Sequence, residues 1–147
     1  MRTKTTGAAA ALAALIATPA LAGEVRMTLD GVQARGGTVY VTLQREAEFM
    51  QPTGLAQRIE APAAGSLTVV FPDVPAGDYA LSAFHDENGD RRLDMSPGGM
   101  PVEGWAMSNA EALRGPPTFE LVKVSVPAEG AQLTEPMNYM DGQRPTR

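Results

Sequence analysis

Apolar and polar positions alternate in five stretches of the chain. These are "EVRMTL" (Val25, Met27, Leu29), "TVYVTLQ" (Val39, Val41, Leu43), "SLTVVF" (Leu67, Val69, Phe71), "DYALSAF" (Tyr79, Leu81, Ala83) and "FELVKVSV" (Val122, Val124, Val126). A period of two is the signature of a half-buried strand. Turn signals separate the stretches: Gly36-Gly37, Pro52-Thr53-Gly54, Pro75-Ala76-Gly77-Asp78, Gly115-Pro116-Pro117 and Glu129-Gly130. A weaker strand, "AQLTEPMNYM", carries Pro136, which suits a sheet edge because proline donates nothing to the ladder. No window holds a 3.6-residue period, although "AEALR" at 110–114 can form one helical turn. The pattern predicts an all-β fold, an antiparallel two-sheet β-sandwich of about seven strands, with a small barrel as the alternative. One long loop, residues 86–116, interrupts it, and a connection of that length without strands of its own is usually functional or disordered.

The start of the chain departs from this pattern. "MRTKTTGAAAALAALIATPALA" sets Arg2 and Lys4 before an apolar run that ends in Ala20-Leu21-Ala22, the pattern of a secretory signal peptide with its cleavage site. The run from Gly7 to Ile16 is too short to span a membrane, and no later segment is longer. The expected organisation is a signal peptide at 1–22, a single β-sandwich domain at 23–141 and a flexible C-terminal tail at 142–147. The expected product is a periplasmic or secreted monomer without a transmembrane segment.

Composition narrows the chemistry. Loss of residues 1–22 removes Arg2 and Lys4 and moves the net charge from -5 to -7, which disfavours a nucleic-acid partner. There is no cysteine, so disulfides, thiolate metal sites and a cysteine nucleophile are excluded.

The stretch "FHDENGDRRLDMSPGGMPVEGWAMSN", Phe84 to Asn109, gathers five acidic side chains with the only histidine and the only tryptophan. From Asp86 the spacing Asp86, Asn88, Asp90, Arg92, Asp94 puts side-chain oxygens at positions 1, 3, 5 and 9 of a calcium loop, with the Arg92 carbonyl at position 7. Position 6 is Arg91 where glycine is preferred, and position 12 is Pro97 where a bidentate glutamate belongs, a place Glu103 can take from further along. The turn carries Asp86, Glu87, Asp90 and Asp94 against Arg91 and Arg92, net -2, which one divalent cation neutralises. Ca²⁺ is the expected ligand. The competing reading is a plain turn, since Asp, Asn and Gly form turns without any ion.

His85 abuts this turn and Met95, Met100 and Met107 follow it, a soft set that suits Cu(I), although methionines and Trp105 also serve as adaptable filler under a long loop. Signatures of an enzyme are sparse. A triad would be built on His85 with Ser82, Ser96 or Ser108, and a carboxylate pair on Asp86, Asp90, Asp94 or Glu103, in either case without a supporting motif. The expectation is a protein that is not an enzyme, with a copper-binding protein or a small hydrolase as the alternatives.

The blocks "FPDVPAGDYALSAFHDENGDRRLD", "GGMPVEGWAMSN" and "GPPTFE" resemble the bacterial exported proteins grouped as Domain of Unknown Function 2141. Pro75, Gly77, Tyr79, His85, Asp86, Asn88, Asp90, Asp94, Pro101, Glu103, Gly104, Ser108 and Asn109 fall on that family's pattern, while Arg91 and Ala106 depart from it. The resemblance implies a fold and a site without naming a reaction. "VPAGDYALSAF" is also similar to a strand of transthyretin-like sandwiches, which implies an Ig-like or prealbumin-like arrangement. On this reading His85, Trp105, Ser108 and Asn109 form an interaction surface for an unknown protein or glycan partner, carried by a loop on a rigid scaffold.

Overall fold

The structure, a computed structural model, describes residues 22–140, and across them the period-two pattern becomes strand. The expected signal peptide, apart from Ala22, and the expected tail at 142–147 lie outside the described residues. Eight strands follow in order: β1 (Ala22–Val32), β2 (Thr38–Gln44), β3 (Leu55–Glu60), β4 (Gly65–Pro75), β5 (Gly77–Asp86), β6 (Gly104–Met107), β7 (Lys123–Val126) and β8 (Gly130–Pro136). They form two sheets. One has the order β4-β1-β8, and the other β3-β2-β5-β6, with β7 also paired to β5. Strands β6 and β7 share β5, β6 against Ser82–His85 and β7 against Gly77–Ala80.

The alternating apolar residues face one common interior. Val25, Met27 and Leu29 from the first sheet meet Val39, Val41, Leu43, Tyr79 and Leu81 from the second in one cluster. Strand β4 shows how the pattern bends. Val25 pairs with Phe71, whereas Gly23 pairs with Val74, so β4 carries one extra residue there. Asp73, at φ 54, lies within that bulge. A bulge resets the alternation, and so Phe71 and Val74 are both buried although three residues apart. Tyr79 enters the core as well. Its hydroxyl donates to the Pro75 carbonyl at 2.8 Å and accepts from Arg45 Nη2 at 3.0 Å, which ties the start of β5 to the end of β2.

Several expectations need correction. The eight strands among the described residues agree with the expected all-β two-sheet sandwich of about seven, but β1 and β8 run parallel (Glu24 to Asp30 against Gly130 to Pro136), so the sheets are antiparallel-rich and not wholly antiparallel. The stretch "FELV", expected as strand, forms a single helical turn, Phe119–Val122, which puts Val122 inside and leaves Leu121 exposed. The excursion 86–116 has a strand of its own, β6, and a one-turn helix at Ala110–Ala112, where one was expected. Pro136 sits on the edge strand β8, the place a proline tolerates. No helix among the described residues is long and apolar enough to cross a membrane.

Candidate functional site

Strand β5 delivers the site. Its last two residues, His85 and Asp86, are both buried, and the chain turns over them. Asp86 organises that turn with both carboxylate oxygens. Oδ1 accepts the Gly89 N–H at 2.7 Å and Oδ2 accepts the Arg91 N–H at 2.9 Å. The next side chains continue the ladder. Asn88 Oδ1 accepts the Asp90 N–H at 3.0 Å, and Asp90 Oδ1 accepts the Arg92 N–H at 2.8 Å. Asn88 Nδ2 then donates to Asp94 Oδ2 at 2.7 Å. Arg91 adopts φ 63, the left-handed conformation that the sixth position of a calcium loop requires and that favours glycine.

Glu103 closes the turn from the far side. Its Oε1 accepts the Glu87 N–H at 2.9 Å and its Oε2 the Asp94 N–H at 3.2 Å, so one buried carboxylate holds both ends of the acidic segment. Beyond it, residues 94–102 fold into a small hairpin through Val102 N–H to the Asp94 carbonyl (2.9 Å) and Ser96 N–H to the Met100 carbonyl (2.8 Å). The hairpin presents Met95, Met100 and Val102 to solvent, at 53%, 51% and 43% exposure.

His85 lies beneath this turn and is fully buried. Its Nε2 is 2.6 Å from the Gly36 carbonyl, which can only accept, so Nε2 carries the proton and donates. Nδ1 is 2.9 Å from the Tyr139 hydroxyl, which itself accepts the Gln33 N–H at 3.1 Å and so has its own proton to give to the ring. Burial pushes the Tyr139 hydroxyl above its ordinary pKa, an effect opposed by the Gln33 amide and by Arg35, and the hydroxyl therefore keeps its proton. Arg35 lies over the Tyr139 ring at 4.7 Å and pairs with Glu87 at 3.2 Å. Tyr139 comes close because residue 104 is glycine. A Cβ there would stand 2.3 Å from the Tyr139 ring.

The remaining sequence-predicted residues separate into two places. Trp105, half-buried on β6, exchanges backbone hydrogen bonds with Asn138 at 2.9 and 2.7 Å, so residues 137–140 form a strap along the outer edge of β6. Ser108 and Asn109 lie past the other end of β6. The buried Ser108 Oγ donates to the Val122 carbonyl and accepts the Leu81 N–H at 3.1 Å, while Asn109 Nδ2 donates to the Lys123 carbonyl at 3.0 Å. His85 and Ser108 are thus interior ties and offer no surface, which leaves Trp105 and Asn109 partly accessible.

The donor chemistry of the acidic turn fits a hard cation, since every candidate ligand is an oxygen, and the backbone has the loop conformation. Asp90 Oδ2 and Asp94 Oδ1 accept no hydrogen bond from the described residues. The carboxylates are not drawn around one point. Among the described residues no group of three or more His, Asp or Glu side chains is placed to hold a metal ion.

Tyr139, Arg35, Met137 and Met140 were absent from the sequence-level site. The one available signal was Gly104, a glycine outside any tight turn that makes room for a ring.

Residues 27–134 match the profile of a family described as an uncharacterized protein conserved in bacteria (DUF2141). No curated protein and no solved structure matches the chain.

Proposed function

The chain belongs to the DUF2141 family, and we propose that it is an exported, non-catalytic binding module whose acidic turn takes up Ca²⁺ and thereby stiffens the excursion that carries its recognition surface. The observation that supports this best is the ladder of side-chain oxygens on backbone amides from Asp86 to Asp90, together with Arg91 at φ 63. A calcium loop is held open by this kind of ladder, and an isolated turn has no need of four carboxylates that repel one another. Asp86, Asn88, Asp90, Asp94 and the Arg92 carbonyl would hold the ion. The exposed Asp90 and half-exposed Asp94 would be drawn towards it. The ion supplies charge neutralisation and cross-linking of the turn, and no chemical step depends on it.

The non-catalytic part of the proposal draws support from how the candidate catalytic groups are used. Both ring nitrogens of His85, the Ser108 hydroxyl and both oxygens of Glu103 are engaged in holding the fold. Export draws support from the signal-like residues 1–22.

Calcium at about 100 times Kd adds about 2.7 kcal/mol to folding stability. For a domain of this size that is a shift of several degrees in a thermal melt. Wild type should melt higher in millimolar Ca²⁺ than in chelator. Asp90→Ala combined with Asp94→Ala, which spares the ties made by Asp86 and Glu103, should melt alike in both. Coincident wild-type melts, or an undiminished calcium response in the double variant, would return the turn to a self-sufficient structural element.

A further inference from the structure

Where the strap 137–140 runs along β6, a groove of about 420 Å³ has Met100, Met137, Met140 and Trp105 in its lining. The remaining lining residues are Gly31, Gln33, Asn138 and Tyr139, so no carboxylate and no Lys or Arg side chain among the described residues contributes to it. We propose that this groove is a site for a soft monovalent cation, Cu(I) or Ag(I), held by the thioether sulfurs of Met100, Met137 and Met140 beside the Trp105 indole.

The donor set selects the ion. Thioethers are neutral and polarisable, so they bind soft cations and offer nothing to Ca²⁺ or Mg²⁺, which need hard oxygen ligands. Three of the eight methionines of the chain lie in this one groove, brought together from two segments distant in sequence: Met100 from the excursion hairpin, Met137 and Met140 from the strap. Met137 is buried and provides a fixed donor, while Met100 is half exposed on a side chain with three rotatable bonds and can adjust to the ion. A cation over the Trp105 ring gains attraction from its face. The acidity of the chain as a whole favours cations at its surface. His85 takes no part, because both its nitrogens are already engaged. The site is therefore of the all-thioether kind and differs from a His–Met set. Met95, exposed on the same hairpin but absent from the groove lining, serves as an internal control.

Trp105 is the only tryptophan, so its fluorescence reports on this groove without labelling. Silver nitrate titrated into the wild-type protein in chloride-free buffer should quench it saturably with one equivalent. Replacement of thioethers by leucine keeps apolar bulk and removes the sulfur. Met100→Leu combined with Met140→Leu should weaken silver binding at least tenfold with an unchanged thermal melt, and Met95→Leu should bind as wild type. Calcium nitrate in excess should not displace the silver from the groove. An absent or unsaturable response in the wild type, equal binding by the double leucine variant, an equal loss in Met95→Leu, or displacement of silver by calcium would each overturn the proposal.

Discussion

Two sets of acidic side chains share this fold and meet opposite fates. Asp86 and Glu103 are almost wholly buried, yet each oxygen of each carboxylate accepts a backbone N–H. Glu135, on the edge strand β8, is only half-buried, but it has no such donors and faces Glu111, and its pKa is pushed up to about 7, first by burial and then by that neighbouring charge. Burial alone therefore does not decide what a carboxylate does. Loose amides at a turn convert it into a clasp, since each buried oxygen is there met by a backbone donor. Glu135 on β8 accepts no backbone N–H from the described residues, and there burial and the neighbouring Glu111 charge make the same group a proton-binding site.

The clasp is the place to break this contrast most severely. Asp86→Ala strands the Gly89 and Arg91 amides, and at about 1–3 kcal/mol for each unsatisfied group the total should reach about 2–6 kcal/mol. Urea unfolding should show this as a lowered midpoint. A loss under 0.5 kcal/mol would mean that water replaces the carboxylate without penalty.

A smaller change should sharpen it in the opposite direction. Arg91→Gly relieves a non-glycine residue at φ 63 while leaving its amide on Asp86, and should stabilise the protein by up to about 1 kcal/mol. The gain is read by the same unfolding experiment, and destabilisation would show that the arginine side chain contributes more than its backbone loses.

The smallest effect belongs to Glu135, because water screens a half-exposed carboxylate. Its folded pKa, about 7, lies above the ordinary 4.5, so the folded state holds the proton more tightly than the unfolded one. This contribution is fully present below pH 4.5 and is lost as pH rises through about 7. Wild-type stability should decline over that window relative to Glu135→Gln, and parallel pH profiles for the two proteins would remove Glu135 from the titrating set.

The strands with two-residue periodicity were legible because each buries one face, and Val39, Val41 and Leu43 on β2 are the plainest case. Strand β3 was not. It is an edge strand in which only Gln57 and Ile59 are partly buried, so "LAQRIE" carries almost no alternation. Strand β6 escaped notice because "GWAM" is four residues long and owes its form to partners on both sides, β5 and Asn138. "FELV" read as strand because its apolar residues are ambiguous over so short a run, and a single helical turn satisfies them equally. At the site, the acidic turn was visible because its residues are contiguous. The Tyr139–His85 contact was not, since it joins side chains 54 residues apart and leaves no local pattern.

The parallel pairing of β1 with β8 sets the order in which the molecule can be completed. Strand β1 is central in its sheet, with β4 on one side and β8 on the other, so the first strand of the domain waits for the last. During synthesis from the N-terminus, one flank of β1 stays open until roughly a hundred further residues have been added, a high contact order that slows folding. A chain stopped before β8 would present that open flank to other chains, and such unpaired edges invite aggregation. Any shortened version of this protein that omits residues 130–136 is thus expected to be sticky and not merely less stable.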